Sequence, residues 1–594
     1  MNRNKNNNFS LLPSANIQRS KFDRSQSVKF TFNVGELIPF YVDEVLPGDT
    51  MQIKTSKMVR LQTPATPIMD DLYLDTYYFF VPNRLVWDHW KEFNGENNNS
   101  KWIPTTDYRV PQLKFPAFSG TAVDHDLGEL SDSYLFFSPG SVADYMGLPA
   151  MNGSENGNFA VPIKYFPLST GVSDGFPTFN ALPFRAYALI CNEWFRDENL
   201  QDPLFIDTGD SDYNGWFDNN NLSVDDFNSA NNFSSISNDE RNLKSPVFGG
   251  KPFIASKYHD YFTSALPSPQ KGPTVSVPVS SILSGDGLAK AEFIDSNSKT
   301  GYYIIRNSSG ALVTSTSDVN ALYSTALVEG GAGIDINSLR LAFATQAQYE
   351  RDARGGTRYT EIIRSNFGVI SPDSRLQRPE YLGGNHVRLN INQVVQQSGE
   401  VGSNGSFLGD TGAFSATADS HGDFIQSFTE HGFIIGVCVA RYNHSYQNGA
   451  EKFWFRKSRF DYYLPAFANL GEQPIKQAEI YIGNKVGNQE LFSNSTFGYQ
   501  EAWADYRFKP NRVAGEMRSG VVNSLDIWHL ADNYDSMPFL SANWIKEDKN
   551  NVDRVLTVTS RVSNQLLADF YIENTSTRPI PMYSIPATLG GSVF

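Results

Sequence analysis

Apolar and polar residues alternate in one early stretch of the chain and give way to unbroken apolar runs in others, which predicts strands of two kinds. In MQIKTSKMVRLQT, Met51, Ile53 and Thr55 alternate with Gln52 and Lys54, the period of two that turns one strand face to a core and the other to water. Residues 77–81 and the run FIIGVCVA (433–440) lack the polar alternates and predict strands covered on both sides. Pro47-Gly48-Asp49 lies between two extended runs and predicts a hairpin turn, with proline fixing φ and glycine supplying a positive φ. Towards the C-terminus, strands are expected in GFIIGVCVARYNH, EKFWFRKSRFDYYLP, QAEIYIGNK and RVLTVTSRVSNQLLADFYIENTS. The aromatic clusters at 77–80 and 453–455 could stack on bases or sugars, but burial in strand cores is the reading preferred.

Helical spacing is confined to the middle. In LPFRAYALICNEWF, Phe184, Tyr187, Ala188 and Cys191 share one helical face behind the starter Pro183, which makes Cys191 a core residue. A second helix is expected from about Ser338 to the Gly355-Gly356 stop, and a third around TRYTEIIRSNFG. Two stretches break the pattern. Residues 203–250 hold nine Asn and a net charge of −6, and residues 274–335 are rich in Ser, Gly and Val with short strand-like runs such as GYYIIR. Both are expected to be insertions projecting from a scaffold. Strands at both ends of the chain that bracket insertions predict an all-β fold: one antiparallel β-sandwich, an eight-stranded jelly roll whose early and late strands pair, with a few short helices.

Charge adds one feature. The chain carries 49 Lys+Arg against 64 Asp+Glu, a net of −15 over 594 residues, which excludes a generally basic nucleic-acid coat. The first 35 residues oppose that sign: Arg3, Lys5, Arg19, Lys21, Arg24 and Lys29 face one acid, Asp23, for a net of +5. Residues 1–29 are read as an extended basic arm, or as a frayed terminus without a partner, leaving 30–594 as a single domain. Two cysteines, Cys191 and Cys438, exclude a disulfide framework and a thiolate metal cluster. The start of the chain has no apolar signal core, and the longest apolar run falls far short of the roughly 18–20 residues of a bilayer span, so no membrane insertion is expected.

Catalytic patterns are weak. No metalloprotease helix motif, phosphate loop, nucleophile elbow or dinucleotide fingerprint occurs. His421 and His431 as a zinc pair, and Glu193 with Asp197 or Glu350 with Asp352 as a glycosidase pair, are outweighed by ordinary polar roles. The group Arg351, Arg354, Arg358, Arg364, Arg375, Arg378 and Arg388 is diluted by five acids to +2 and reads as ion pairs within or between subunits. No cofactor and no metal is expected.

Five blocks in order along the chain, FNVGELIPFYVDEVLPGDT, DTYYFFVPNRLVWDHWKEFNGE, LPFRAYALICNEWFRDENLQ, KYHDYFTSALPSPQKGP and RDARGGTRYTEIIRSNFGVISPDSRLQRPEYLGG, closely resemble the major capsid protein of gokushoviruses, small single-stranded-DNA bacteriophages of the Microviridae. The resemblance implies a structural protein and not an enzyme: a jelly-roll protomer of a T=1 icosahedral shell around circular single-stranded DNA. It also implies minor virion proteins and a host receptor as partners, and assembly in the host bacterial cytoplasm. The insertions at 203–250 and 274–335 occupy the part of the chain where that family carries a surface protrusion. Ser268 stands where the family commonly has Trp, which removes any pocket-filling role of that ring. Within this reading the arm faces the DNA, with Arg3, Lys5, Arg19, Lys21, Arg24 and Lys29 as the contacts. The alternative is a carbohydrate- or receptor-binding jelly roll that forms no shell; a β-sandwich glycoside hydrolase is a third.

Overall fold

The computed structural model describes residues 18–94, 108–114, 140–148, 179–210, 249–271, 377–395, 397, 411–482 and 495–583, with the backbone of short strands at 153–155, 158–160, 213–214, 290–294 and 300–304 and helical residues between 342 and 350. The chain divides into two compact units, one of residues 1–268 and 372–594 and the other of 269–371. The smaller unit contains an antiparallel pair, Lys290–Ile294 against Thr300–Ile304, where GYYIIR predicts a strand. The helical residues between 342 and 350 fall within the expected second helix. The expected third helix and the acidic stretch from 215 to 248 lie outside the described residues.

In the larger unit, nine strands build two antiparallel sheets: β1 (Ser20–Asp23), β2 (Gln26–Phe32), β3 (Ile38–Val45), β4 (Thr50–Leu61), β5 (Leu72–Pro82), β6 (Glu380–Arg388), β7 (Thr417–Ser427), β8 (Gly432–Tyr442) and β9 (Leu566–Arg578). In the first sheet β9 lies between β4 and the pair β1 and β2, and β7 flanks β4; the second runs β6–β5–β8–β3. Early and late strands therefore pair, as the pattern predicts: β2 with β9, β3 with β8, β4 with β7 and β5 with β6.

The alternation in β4 does what its period requires. Met51, Ile53, Val59 and Leu61 are buried while Gln52, Lys54, Met58 and Arg60 are exposed. On β9 the matching inward set is Leu566, Ala568, Phe570 and Ile572, with Leu566 opposite Leu61 and Ala568 opposite Val59. This sheet has one open face. The unbroken runs form the second sheet, which is covered on both sides. From β5, Leu72, Leu74, Tyr78 and Phe80 enter the core shared with the first sheet, and Phe79 and Val81 enter a second cluster behind it. On β8, Ile434, Cys438 and Ala440 face the first cluster, and Phe433, Ile435, Val437 and Val439 the second. Gly436 is fixed by close approach: a Cβ there would lie 2.8 Å from the Tyr78 ring and 3.0 Å from Phe40 and Tyr41.

The second cluster is closed by α1 (Leu182–Ile190), which starts with a proline in its first turn and continues into a π-turn, Cys191–Phe195. Cys191 is fully buried, as its spacing predicts. The helix is pinned by polar contacts made in apolar surroundings. Tyr187 Oη donates to the carbonyl of Leu37 (2.6 Å), and the buried Arg185 donates to the carbonyls of Val86 (3.0 Å) and Gly209 (3.1 Å).

Four local expectations are corrected. The turn at 47–49 forms, with Gly48 at φ +93° and the Asp49 amide donating to Leu46, but it is not a hairpin turn. Strands β3 and β4 belong to different sheets, so it is an arch across the sandwich. Turn chemistry reverses the chain, and pairing is settled by the distant strands β8 and β9. EKFWFRKSRFDYYLP is not a strand but a series of 3-10 turns at Lys452–Phe455, Arg459–Asp461 and Pro465–Phe467, where Asp461 accepts the amides of Lys457 and Ser458 (2.8 and 2.7 Å). QAEIYIGNK opens as a helical turn, Gln477–Ile480, and RVLTVT begins as the last turn of the helix Asn550–Val555 and then makes a single bridge from Leu556 to Pro64.

Candidate assembly and nucleic-acid surfaces

The basic residues singled out near the N-terminus do not converge. Arg3 and Lys5 lie outside the described residues. From Ser20 the chain is already edge strand, paired with β9 through Ser20–Arg578 and Ser27–Tyr571. Arg19, exposed just ahead of β1, crosses the Gly48 turn, where a Cβ would lie 3.3 Å from its guanidinium. Lys21 is exposed beside Thr577. Arg24 donates to Asp43 Oδ2 (2.6 Å), and Lys29 sits 3.3 Å from Asp569. The neighbouring open face of the first sheet carries both signs, with Lys54 4.0 Å from Glu573. Such exposed pairs are worth about 0–1 kcal/mol and leave the face close to neutral.

Two buried polar clusters tie the connections to the second sheet. In the first, Asp75 of β5 accepts from Arg441 (2.6 Å), from Tyr258 (2.7 Å) and at 2.5 Å from His386, and Arg441 lies 4.2 Å over the Tyr258 ring. Burial disfavours the Asp75 charge, but Arg441 and these hydrogen bonds outweigh it and hold the carboxyl below its ordinary range. In the second, His444 is bracketed by Asp532 (2.9 Å) and Glu547 (3.0 Å), with Lys257 3.2 Å from Asp532. Burial opposes protonation of this imidazole, yet the two carboxylates prevail and raise its pKa to about 10. Sequence reasoning missed both clusters, because their members lie up to hundreds of residues apart and each is an ordinary single residue in its own neighbourhood.

The connection between β8 and β9 presents what the sequence assigned to a core. Phe453 and Trp454 are exposed, Trp454 at 69%, with their rings 4.8 Å apart. Tyr462, Tyr463, Tyr506 and Phe508 are exposed as well. Arg456, paired with Asp505, lies 4.3 Å over the Tyr506 ring and 5.5 Å over that of Tyr462. Phe453, Arg456, Tyr506 and Phe508 line a cleft of about 460 Å³. The signal available in sequence was the set of cations Lys452, Arg456, Lys457 and Arg459 interrupting the aromatic run, which denies it a uniform apolar face.

Other candidates have structural partners. Asp197 caps a turn, accepting the amides of Asn199 (2.9 Å) and Leu200 (3.0 Å); Glu350 accepts from Gln346 (2.9 Å) one helical turn away. His421 sits in β7 opposite Thr55, whereas the carbonyl of His431 accepts from Asn83 and its ring packs on Trp90. Arg378 lies 5.2 Å over Trp194, and Arg388 pairs with Asp71; the remaining five arginines of that group lie outside the described residues. Among the described residues no cluster of three or more His, Cys, Asp or Glu is placed to hold a metal, and no helix is long and apolar enough to cross a membrane.

Two packed antiparallel sheets with long connections are an architecture that structural coat proteins share with other β-sandwich proteins. The family of phage capsid proteins described as "Capsid protein (F protein)" matches residues 10–128 and 161–588. The chain is 36% identical to capsid protein VP1 of Bdellovibrio phage phiMH2K over 99% of both chains, and 36% identical to capsid protein VP1 of Spiroplasma virus 4 over 97% of both. It is 34% identical to capsid protein VP1 of Chlamydia phage 1 over 98% of this chain and 97% of that one. The chain belongs to this phage capsid protein family, of the Microviridae type; it is a structural component of the virion and not an enzyme.

Proposed function

We propose that the chain is the major coat subunit of a T=1 icosahedral shell enclosing circular single-stranded DNA, assembled in the host bacterial cytoplasm, and that its wall tile is an eight-stranded jelly roll. The strand order carries this reading. With β1 and β2 counted as one interrupted strand on β9, the first of eight strands pairs with the last, the second with the seventh, the third with the sixth and the fourth with the fifth. That is a long hairpin rolled into two four-stranded sheets, a winding common to many viral coats.

Residues 30–594 form one capsid domain, and residues 1–29 are its basic arm, whose strand residues from Ser20 onward lie along β9. The insertions at about 203–250 and 274–335 form a surface protrusion that meets a host receptor; the second falls inside the separate compact unit 269–371, which supports its folding as a lobe of its own. The arm meets genome phosphates through Arg3, Lys5, Arg19, Lys21, Arg24 and Lys29, a reading supported by the exposure of Arg19 and Lys21 and requiring Arg24 and Lys29 to exchange their pairs with Asp43 and Asp569 for phosphate. Minor virion proteins complete the particle. Electron cryomicroscopy of the purified assembly is the test: closed shells with this fold as the repeating unit are expected, and material that stays at subunit size would instead favour a receptor-binding jelly roll without a shell. Replacing the six cations by glutamine should lower packaged DNA before it lowers subunit stability; unaltered packaging would remove the arm from that role.

A further inference from the structure

We infer that the aromatic surface on the β8–β9 connection is a contact between neighbouring copies of this chain, an inference that rests on the shell reading and names the place where copies meet. The surface is built from Phe453, Trp454, Tyr462, Tyr463, Tyr506 and Phe508, between 42% and 69% exposed. They form one surface: Phe453 lies tilted against Trp454, both line the same cleft as Arg456, Tyr506 and Phe508, Tyr463 lies 6.3 Å from Tyr506, and Arg456 bridges Tyr462 to Tyr506. A large aromatic side chain brings about 150–250 Å² to a contact, so this set leaves on the order of 600 Å² of ring surface open to water. One partner of a standard protein–protein interface contributes about 600–1,000 Å². Aromatic residues with arginine are the side chains that dominate such interfaces.

The same rings could stack on single-stranded DNA, but the charges favour protein. Arg456 is committed to Asp505 and Arg507 to Glu501, while Lys509 and Arg512 share Glu451 at 3.1 and 3.7 Å, so these four cations face three carboxylates. Cations largely paired within the chain add less to the counterion release that drives binding to a polyanion than free ones do. What remains is a broad apolar surface with Lys457 and Arg459 exposed at its rim, and a capsid protein has its own copies as the abundant partner. The scattered exposed apolar residues of the first sheet, such as Met58 and Ile425, stand instead among polar neighbours and make no comparable surface.

The test is the double substitution W454A/F508A in the full chain, produced where wild-type chain assembles. Both side chains are exposed, so far-UV circular dichroism and the unfolding midpoint should match wild type, while the fraction sedimenting as particles falls at least tenfold. Trp454→Phe should restore most of it. Hydroxyl-radical footprinting of wild type should show Trp454 protected in particles and reactive after dissociation. Particles at wild-type yield with full DNA content would overturn the inference. So would particles at wild-type yield with depleted DNA, which would assign the rings to the genome. If the wild-type chain forms no shells, the shell reading fails by itself, and the contact is then read from concentration-dependent self-association of the wild type: its loss in the variant supports the contact and its persistence overturns it.

Discussion

Two aromatic runs of similar composition, residues 77–80 on β5 and 453–455 after β8, occupy opposite environments. Strand β5 lies between β6 and β8, with an apolar cluster on each face, so Tyr78 and Phe80 pack on one side and Phe79 on the other. The second run is paired in no sheet among the described residues; it turns as a 3-10 segment, and Phe453 and Trp454 face water. Composition alone gives the rings a drive to be covered. Whether the cover comes from the same chain depends on strands that are far away in sequence.

The largest effect that tests this contrast is expected on β5. Phe79→Ala removes a ring that is 1% exposed and packed 5.3 Å from Trp194 and 5.7 Å from Tyr381. It should cost about 3–5 kcal/mol of subunit stability, read by denaturant unfolding. A loss below about 1 kcal/mol would mean that the second cluster is not a packed core.

A smaller effect is expected from pH, acting on the connection that bears the exposed run. His444 pairs with Asp532 and Glu547, while Lys257, Tyr534 and Tyr442 also face the cluster. The histidine's folded pKa is raised from 6.5 to about 10, so its stabilising contribution is complete below about pH 6.5 and is lost as pH rises through about 10. Hydrogen exchange in residues 443–565, corrected for the intrinsic rate, should therefore increase between pH 7 and 10 while β5 and β8 stay protected. His444→Gln should flatten that dependence; an unchanged profile would show that the imidazole is not the titrating group.

The smallest effect belongs to the exposed run. Trp454→Ala should shift the stability of the dissociated subunit by no more than about 0.5 kcal/mol, because the ring has little to lose in the folded monomer. A cost of several kcal/mol would show that the ring is buried in the subunit after all.

Much of the wall was legible in sequence because strand period is a local property. The alternation in β4, the unbroken runs in β5 and β8 and the helical face of α1 each announce their burial within a dozen residues. The candidate surfaces were less legible. The +5 of the N-terminal segment is visible as a count, but the engagement of Arg24 with Asp43 and of Lys29 with Asp569 is not. The Asp75 and His444 clusters bring together side chains such as Asp75 with His386 and Arg441, which no spacing rule connects.

By itself, then, the chain determined that the segments of β4, β5 and β8 extend, which of their faces are apolar and, through ordered blocks of similarity, the family to which it belongs, since all of these are written in neighbouring residues. Tertiary structure alone decided that the Gly48 turn crosses between sheets, that β9 enters between β2 and β4, and that the rings at 453–455 stay outside. Those outcomes depend on a competition among distant strands for edges and faces, and hydrophobic burial rewards the best total cover over the whole molecule, not the nearest partner along the chain.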